Sequence, residues 1–175
     1  MTGRYLFCSH DGFGLGHVRR NSLIASALLE RDRGAEIAVV TGLAVRPAWL
    51  GTDDVTVVQV PPMLKDQHGA YRHEALGFED AIAARASIFT QTVADFAPDV
   101  VIVDRHPFGI AGELLDGLRL AKRAGAAVVV GLRDVLDEPT RVRAEIAGDG
   151  WRGVAALVDD VLVYGDRVLC DHEVD

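Results

Sequence analysis

The segment Cys8-Ser9-His10-Asp11-Gly12-Phe13-Gly14-Leu15-Gly16-His17 joins a short apolar run to a helical pattern, and its reading decides the fold. Residues 5–8 before it read as a buried first strand, and residues 18–29 after it carry the apolar spacing of an amphipathic helix. Strand, glycine-rich turn and helix in that order form the opening unit of a parallel α/β sheet. Alternating glycines let the backbone approach a ligand closely. The helix start beyond them offers unpaired amides to an anion such as phosphate. Gly12, Phe13, Gly14, Leu15 and Gly16 are therefore expected to form an anion-binding loop, with His17 at the helix start and Arg20 adding charge.

The spacing narrows the ligand. It is G-x-G-x-G-H and not the dinucleotide pattern G-x-G-x-x-G, whose third glycine would fall on His17 or on Arg19. The second apolar run, residues 36–41, ends without the acidic residue that grips a ribose. No Lys-Ser or Lys-Thr follows the glycines, which excludes a Walker A loop. Phosphate-type docking is expected, and a conventional NAD or ATP site is not. No cofactor and no metal is expected. A turn that uses glycine only for tight packing stays open at this point.

Further apolar runs rich in valine and isoleucine lie at residues 55–60, 99–104, 126–132 and 160–164. Several lack polar alternation, as parallel strands covered on both faces do. Between them, Phe78, Ala81, Ile82, Phe89, Val93 and Phe96 form a helical stripe that ends before Pro98. Ala111, Leu114, Leu115 and Leu118 form another, closed by Gly125. The alternation predicts a three-layer α/β/α Rossmann-like domain over residues 1–166 with a short tail at 167–175. Its parallel sheet should have about six strands, ordered 3-2-1-4-5 at the centre.

Ligands of such sheets bind beyond the carboxyl ends of the strands, at the switch point in strand order. That rule gathers the glycine loop with Asp104-Arg105-His106-Pro107 and with Arg133-Asp134, so Asp104, Arg105, His106 and Arg133 join the candidate ligand contacts. An Arg105–Asp pair that merely holds the loop is the alternative. Pro47 makes the second connection short or irregular, and residues 61–77 read as an irregular flap over the same edge.

His17 has two possible roles. It can cap or pack at the helix start, or it can act as a base, since a helix N-terminus favours the neutral ring. Ser9-His10-Asp11 is not a triad, because neighbouring side chains on a strand point to opposite faces. His68, His73 and Glu74, and Cys170 with His172, lack the spacing of a zinc motif.

A net charge of −8 argues against a general nucleic-acid binder, which needs a basic footprint. No apolar run reaches the length of a membrane span, so at most peripheral membrane contact is expected. No signal peptide is expected either. Cys8 and Cys170 are read as reduced thiols of a cytoplasmic protein.

The glycine-histidine loop through Asn21, with Asp104-Arg105-His106-Pro107-Phe108-Gly109 and Gly131-Leu132-Arg133-Asp134, resembles the N-terminal half of a GT-B glycosyltransferase of the family 28 type. The resemblance covers nearly the whole chain up to about Asp166. It implies the acceptor-binding half of an enzyme that uses a nucleotide-sugar donor, with the cleft beside the loop and His17 as base or positioning group. It also implies a sugar or lipid-phosphate acceptor. A chain of 175 residues holds one such domain. The donor domain is therefore expected to be missing or supplied by a protein partner, with no turnover by the chain alone. Self-association through the cleft edge is a further expectation. The alternative is a non-catalytic anion- or nucleotide-binding module of the same fold.

Overall fold

A computed structural model describes residues 3–9, 16–43, 55–65, 70–133 and 138–165. Strand β1 (Arg4–Cys8) leads to helix α1 (Gly16–Arg31), then β2 (Glu36–Thr41) and β3 (Val55–Gln59). Two short strands, β4 (Leu64–Lys65) and β5 (Tyr71–Arg72), precede α2 (Phe78–Phe96) and β6 (Val100–Asp104). Helix α3 (Leu115–Arg123), β7 (Ala127–Arg133), α4 (Pro139–Ala147) and β8 (Asp160–Tyr164) complete the order.

The main sheet has six strands in the order β3-β2-β1-β6-β7-β8, every neighbouring pair parallel. Tyr5 of β1 pairs with Ile37 on one side and Val100 on the other. The three-layer α/β architecture read from the sequence is the observed one, and the expected central order is present. Every expected strand of this sheet lies within a residue of its observed bounds.

Alternation along the strands splits the core into two layers. Leu6, Cys8, Val101, Val103 and Val128 face Phe89 and Val93 of α2 and Leu118 of α3. Phe7, Ile37, Val39, Ile102 and Val129 face Val18 and Ala25 of α1. Helix α3 comes close to α2 because residue 117 is glycine: a Cβ there would meet the Phe89 ring at 2.5 Å. Helix α2 ends as expected ahead of Pro98. Ala97 turns into the left-handed region at φ 43° and donates its amide to the carbonyl of Val93.

Three differences from the sequence reading stand out. The segment expected as an irregular flap forms the antiparallel β4–β5 hairpin, and Met63 before it is buried against Ala81 and Ile110. Helix α4, unforeseen, follows β7. Strand β8 is not covered on both faces, since only Tyr164 is shielded. Pro47 and His68 lie outside the described residues. Among the described residues, no helix is long and apolar enough to cross a membrane.

Candidate functional site

The site forms where α1 begins and β6 ends, on neighbouring strands of the sheet. Helix α1 starts at Gly16, so His17 stands in its first turn, and Arg20 follows on the same face by the three-residue spacing. Asp104 is the last residue of β6, and its side chain is completely shielded from solvent. His17 and Arg20 are 25% and 24% exposed, so the cluster has a closed floor and an open rim.

The Asp104 carboxylate is engaged from both sides. His17 Nδ1 lies 2.9 Å from Asp104 Oδ2, and Arg20 Nη2 donates to Oδ1. A carboxylate accepts only, so Nδ1 is the donor in this contact. Arg20 Nη2 also lies 3.2 Å from His17 Nδ1; two donors facing one another make no bond, and their shared partner is Asp104. Asp104 therefore orients the ring and the guanidinium. The groups that reach the rim are His17 and Arg20.

Arg20 is held from behind. Its guanidinium lies 4.8 Å from the centre of the Tyr164 ring on β8, a cation–π contact. The Tyr164 ring covers Gly131 of β7, where a Cβ would come within 2.1 Å of the phenol oxygen. Burial and the Asp104 charge raise the Tyr164 pKa, and Arg20 opposes the rise. Buried Asn21 fastens α1 to the end of β1 by donating to Ser9 Oγ at 2.9 Å.

Arg105 and His106 turn the chain away from β6, with Arg105 at φ 65°. Among the described residues Arg105 pairs with a glutamate: its Nη2 lies 3.3 Å from Glu145 Oε2 on α4. His106 Nδ1 lies 3.6 Å from the other oxygen of Glu145. Burial first, then the Arg105 charge, push the His106 pKa down to about 4 against the pull of Glu145. This imidazole is neutral at pH 7.

Between α4 and the carboxyl end of β7 lies a cavity of about 50 Å³. Leu132, Val142, Ile146 and Trp151 form its apolar wall, and His17, Arg20, Arg105, Arg133 and Glu145 its polar one. That volume takes a few waters or a small group, not a nucleotide sugar. Of the candidates read from the sequence, His17, Arg20, Asp104, Arg105, His106 and Arg133 converge on this edge. Gly16 opens α1 beside them. Gly12, Phe13, Gly14, Leu15 and Asp134 lie outside the described residues, as do Cys170 and His172.

Glu145, Trp151 and Tyr164 were not anticipated. They come from elements whose place over the edge depends on the tertiary fold, and only Gly131, a glycine inside a buried strand, hinted at an approaching side chain. Among the described residues, no group of three or more His, Cys, Asp or Glu is arranged to hold a metal ion.

A second ionic cluster lies nearby. Arg85 of α2 forks onto Glu113, with Nη2 2.8 Å from Oε1 and Nε on Oε2, and its Nη1 donates to the Pro61 carbonyl at 2.7 Å. Both residues are buried. No protein-family model matches this chain, and no curated protein matches it.

Proposed function

We propose that this domain is the acceptor side of a glycosyltransferase, with the nucleotide-sugar donor held by a second domain on this or another polypeptide. The observation that carries the reading is the contact of His17 Nδ1 with the shielded Asp104 carboxylate at 2.9 Å. With Nδ1–H hydrogen-bonded to Asp104, the neutral ring of His17 takes the proton of an acceptor hydroxyl at Nε2. The oxygen then attacks the anomeric carbon, and the nucleoside diphosphate departs with the bonding electrons. Asp104 stabilises the imidazolium that results, and base catalysis of this kind contributes about 10²–10⁴-fold. Arg20, Arg105 and Arg133 at the cavity rim suit a phosphate-bearing acceptor in a chain that is acidic overall. Position supports the reading as well, since the cluster sits beyond the carboxyl ends of adjacent parallel strands at the switch in strand order.

Calorimetry with inorganic phosphate, farnesyl phosphate and UDP-N-acetylglucosamine tests the proposal. The two phosphates should release heat that Gly14→Val abolishes and that Arg20→Ala weakens about tenfold, a loss of roughly 1.4 kcal/mol. Heat that depends on neither residue would reduce the loop to a tight turn. Sugar transfer by this chain alone would overturn the placement of the donor elsewhere. Phosphate binding by the unmodified chain, with no transfer once a donor domain is supplied, would identify a non-catalytic anion-binding module.

A further inference from the structure

The two edges of the main sheet are finished differently. On β3, Val55 and Val57 pack against the α1 layer, and Val58 against the α2–α3 layer. On β8, Val161, Leu162 and Val163 are 50%, 48% and 46% exposed, although successive residues point to opposite faces. The strand contains no lysine, arginine or proline. Its outward main chain has no backbone partner among the described residues. Protein edges normally carry charges, prolines or bulges that prevent pairing, and a run of exposed apolar residues at an edge marks a site where another strand adds.

We propose that β8 pairs antiparallel with β8 of a second copy of this chain, about a two-fold axis at Leu162. Self-complementarity selects this occupant. Centred on Leu162, the register sets Val161 against Val163 and Asp160 against Tyr164, so no like charges meet. Moving the axis to Asp160 would bring two carboxylates face to face.

Charge favours the same register. Asp160 and Tyr164 share the α1 face of the strand, and on that face Arg20 lies over the Tyr164 ring. Each copy's Asp160 therefore approaches the cation stacked on the other's Tyr164. Asp159, the other acid beside the strand, is already matched by Lys122 Nζ at 2.6 and 2.8 Å and by the Val128 amide at 2.7 Å. Leu23, exposed three residues beyond Arg20 on α1, extends the apolar surface next to this stack. The surface is the lateral edge of the sheet and meets the carboxyl-end cleft at the Arg20–Tyr164 stack. The exposed run Val161–Val163 does not line that cavity, and pairing through it is tested without reference to the proposed reaction.

The test combines sedimentation with cross-linking of the full chain. Opposed residues of an antiparallel pair have Cα atoms about 4.5–5.5 Å apart, within reach of a disulfide. In a Cys170→Ser background, Leu162→Cys should therefore close a bond to its own counterpart under mild oxidation. Val161→Cys should not, but a mixture of Val161→Cys and Val163→Cys chains should give the mixed dimer. The unmodified chain should sediment as a dimer, and Leu162→Lys should raise the dimer dissociation constant at least about tenfold with an unchanged circular dichroism spectrum and melting temperature. A monomer from micromolar to near-millimolar concentration overturns the proposal. So does a dimer indifferent to Leu162→Lys, or cross-linking at Val161→Cys as fast as at Leu162→Cys.

Discussion

Two ionic clusters sit at one end of this sheet, built from similar groups and put to different use. Around Arg85 and Glu113 every strong polar atom is matched inside the protein: the fork closes on the carboxylate, Nη1 finds the Pro61 carbonyl, and the Ile110 amide lies 3.3 Å from Glu113 Oε1. Around Asp104 the shielding stops halfway, since the carboxylate is covered while His17 and Arg20 open to the rim. A closed cluster ties α2 to the loop after β3 and to the turn before α3. A cluster with a buried acid and a partly exposed ring suits the proton transfer proposed above. Burial of a charge does not separate structural from chemical roles; the direction in which the last polar atoms face does.

Removing the ring should have the largest effect on the open cluster. His17→Ala is expected to cost about 10²–10⁴-fold in transfer rate with a donor domain supplied. Stability in urea should shift by less than about 1 kcal/mol, as for substitutions outside a core. A loss of stability in place of rate would make the two clusters alike.

The closed cluster should respond in the opposite way. Arg85→Met leaves Glu113 buried without its cation, which costs roughly 3–5 kcal/mol of unfolding free energy. Pairing it with Glu113→Leu should recover most of that loss. If urea titration of the single variant shows less than about 1 kcal/mol, the Arg85 cluster is not the anchor described above.

A smaller effect is expected at Gly131→Ala. The added methyl would displace the Tyr164 ring and with it the support of Arg20, and such overpacking costs about 1–3 kcal/mol. Phosphate binding should weaken in parallel. Stability lost with phosphate affinity unchanged would uncouple Tyr164 from the site.

A further expected effect is on pH dependence. His106 titrates near 4 in the folded chain and near its ordinary 6.5 when unfolded. The unfolded state therefore binds more protons between those values. Stability from this group is complete above pH 6.5, falls as pH drops towards 4, and levels off below. His106→Gln should flatten the urea midpoint in that window. An identical slope in the variant would assign the dependence to other groups.

The frame of this molecule was legible because long valine-rich runs and amphipathic helices carry strong periodicity. Residues 36–41 and 160–164 were read with the bounds they have. Two-residue strands such as β4 and β5 are too short to show any period. Helix α4 offers Val142 and Ile146 as its larger apolar residues amid charged ones, so its period did not stand out. The strand-end rule brought His17, Asp104 and Arg133 to one edge. It was silent on Arg85 and Glu113, because a charged side chain away from the strand ends reads as solvent-facing until the packing of its neighbours is known.

Strand β1 precedes the other five strands of this sheet in sequence and lies at its centre, with β2 on one side and β6 on the other. Its second neighbour arrives late: the main chain of Arg4 joins the Asp99 carboxylate across 95 residues of sequence. At the pace of translation, about 5–20 residues per second, that interval lasts about 5–20 s. Leu6, Phe7 and Cys8 wait through it with one side of their backbone open. On the ribosome, the innermost strand of this protein is for a time its outermost.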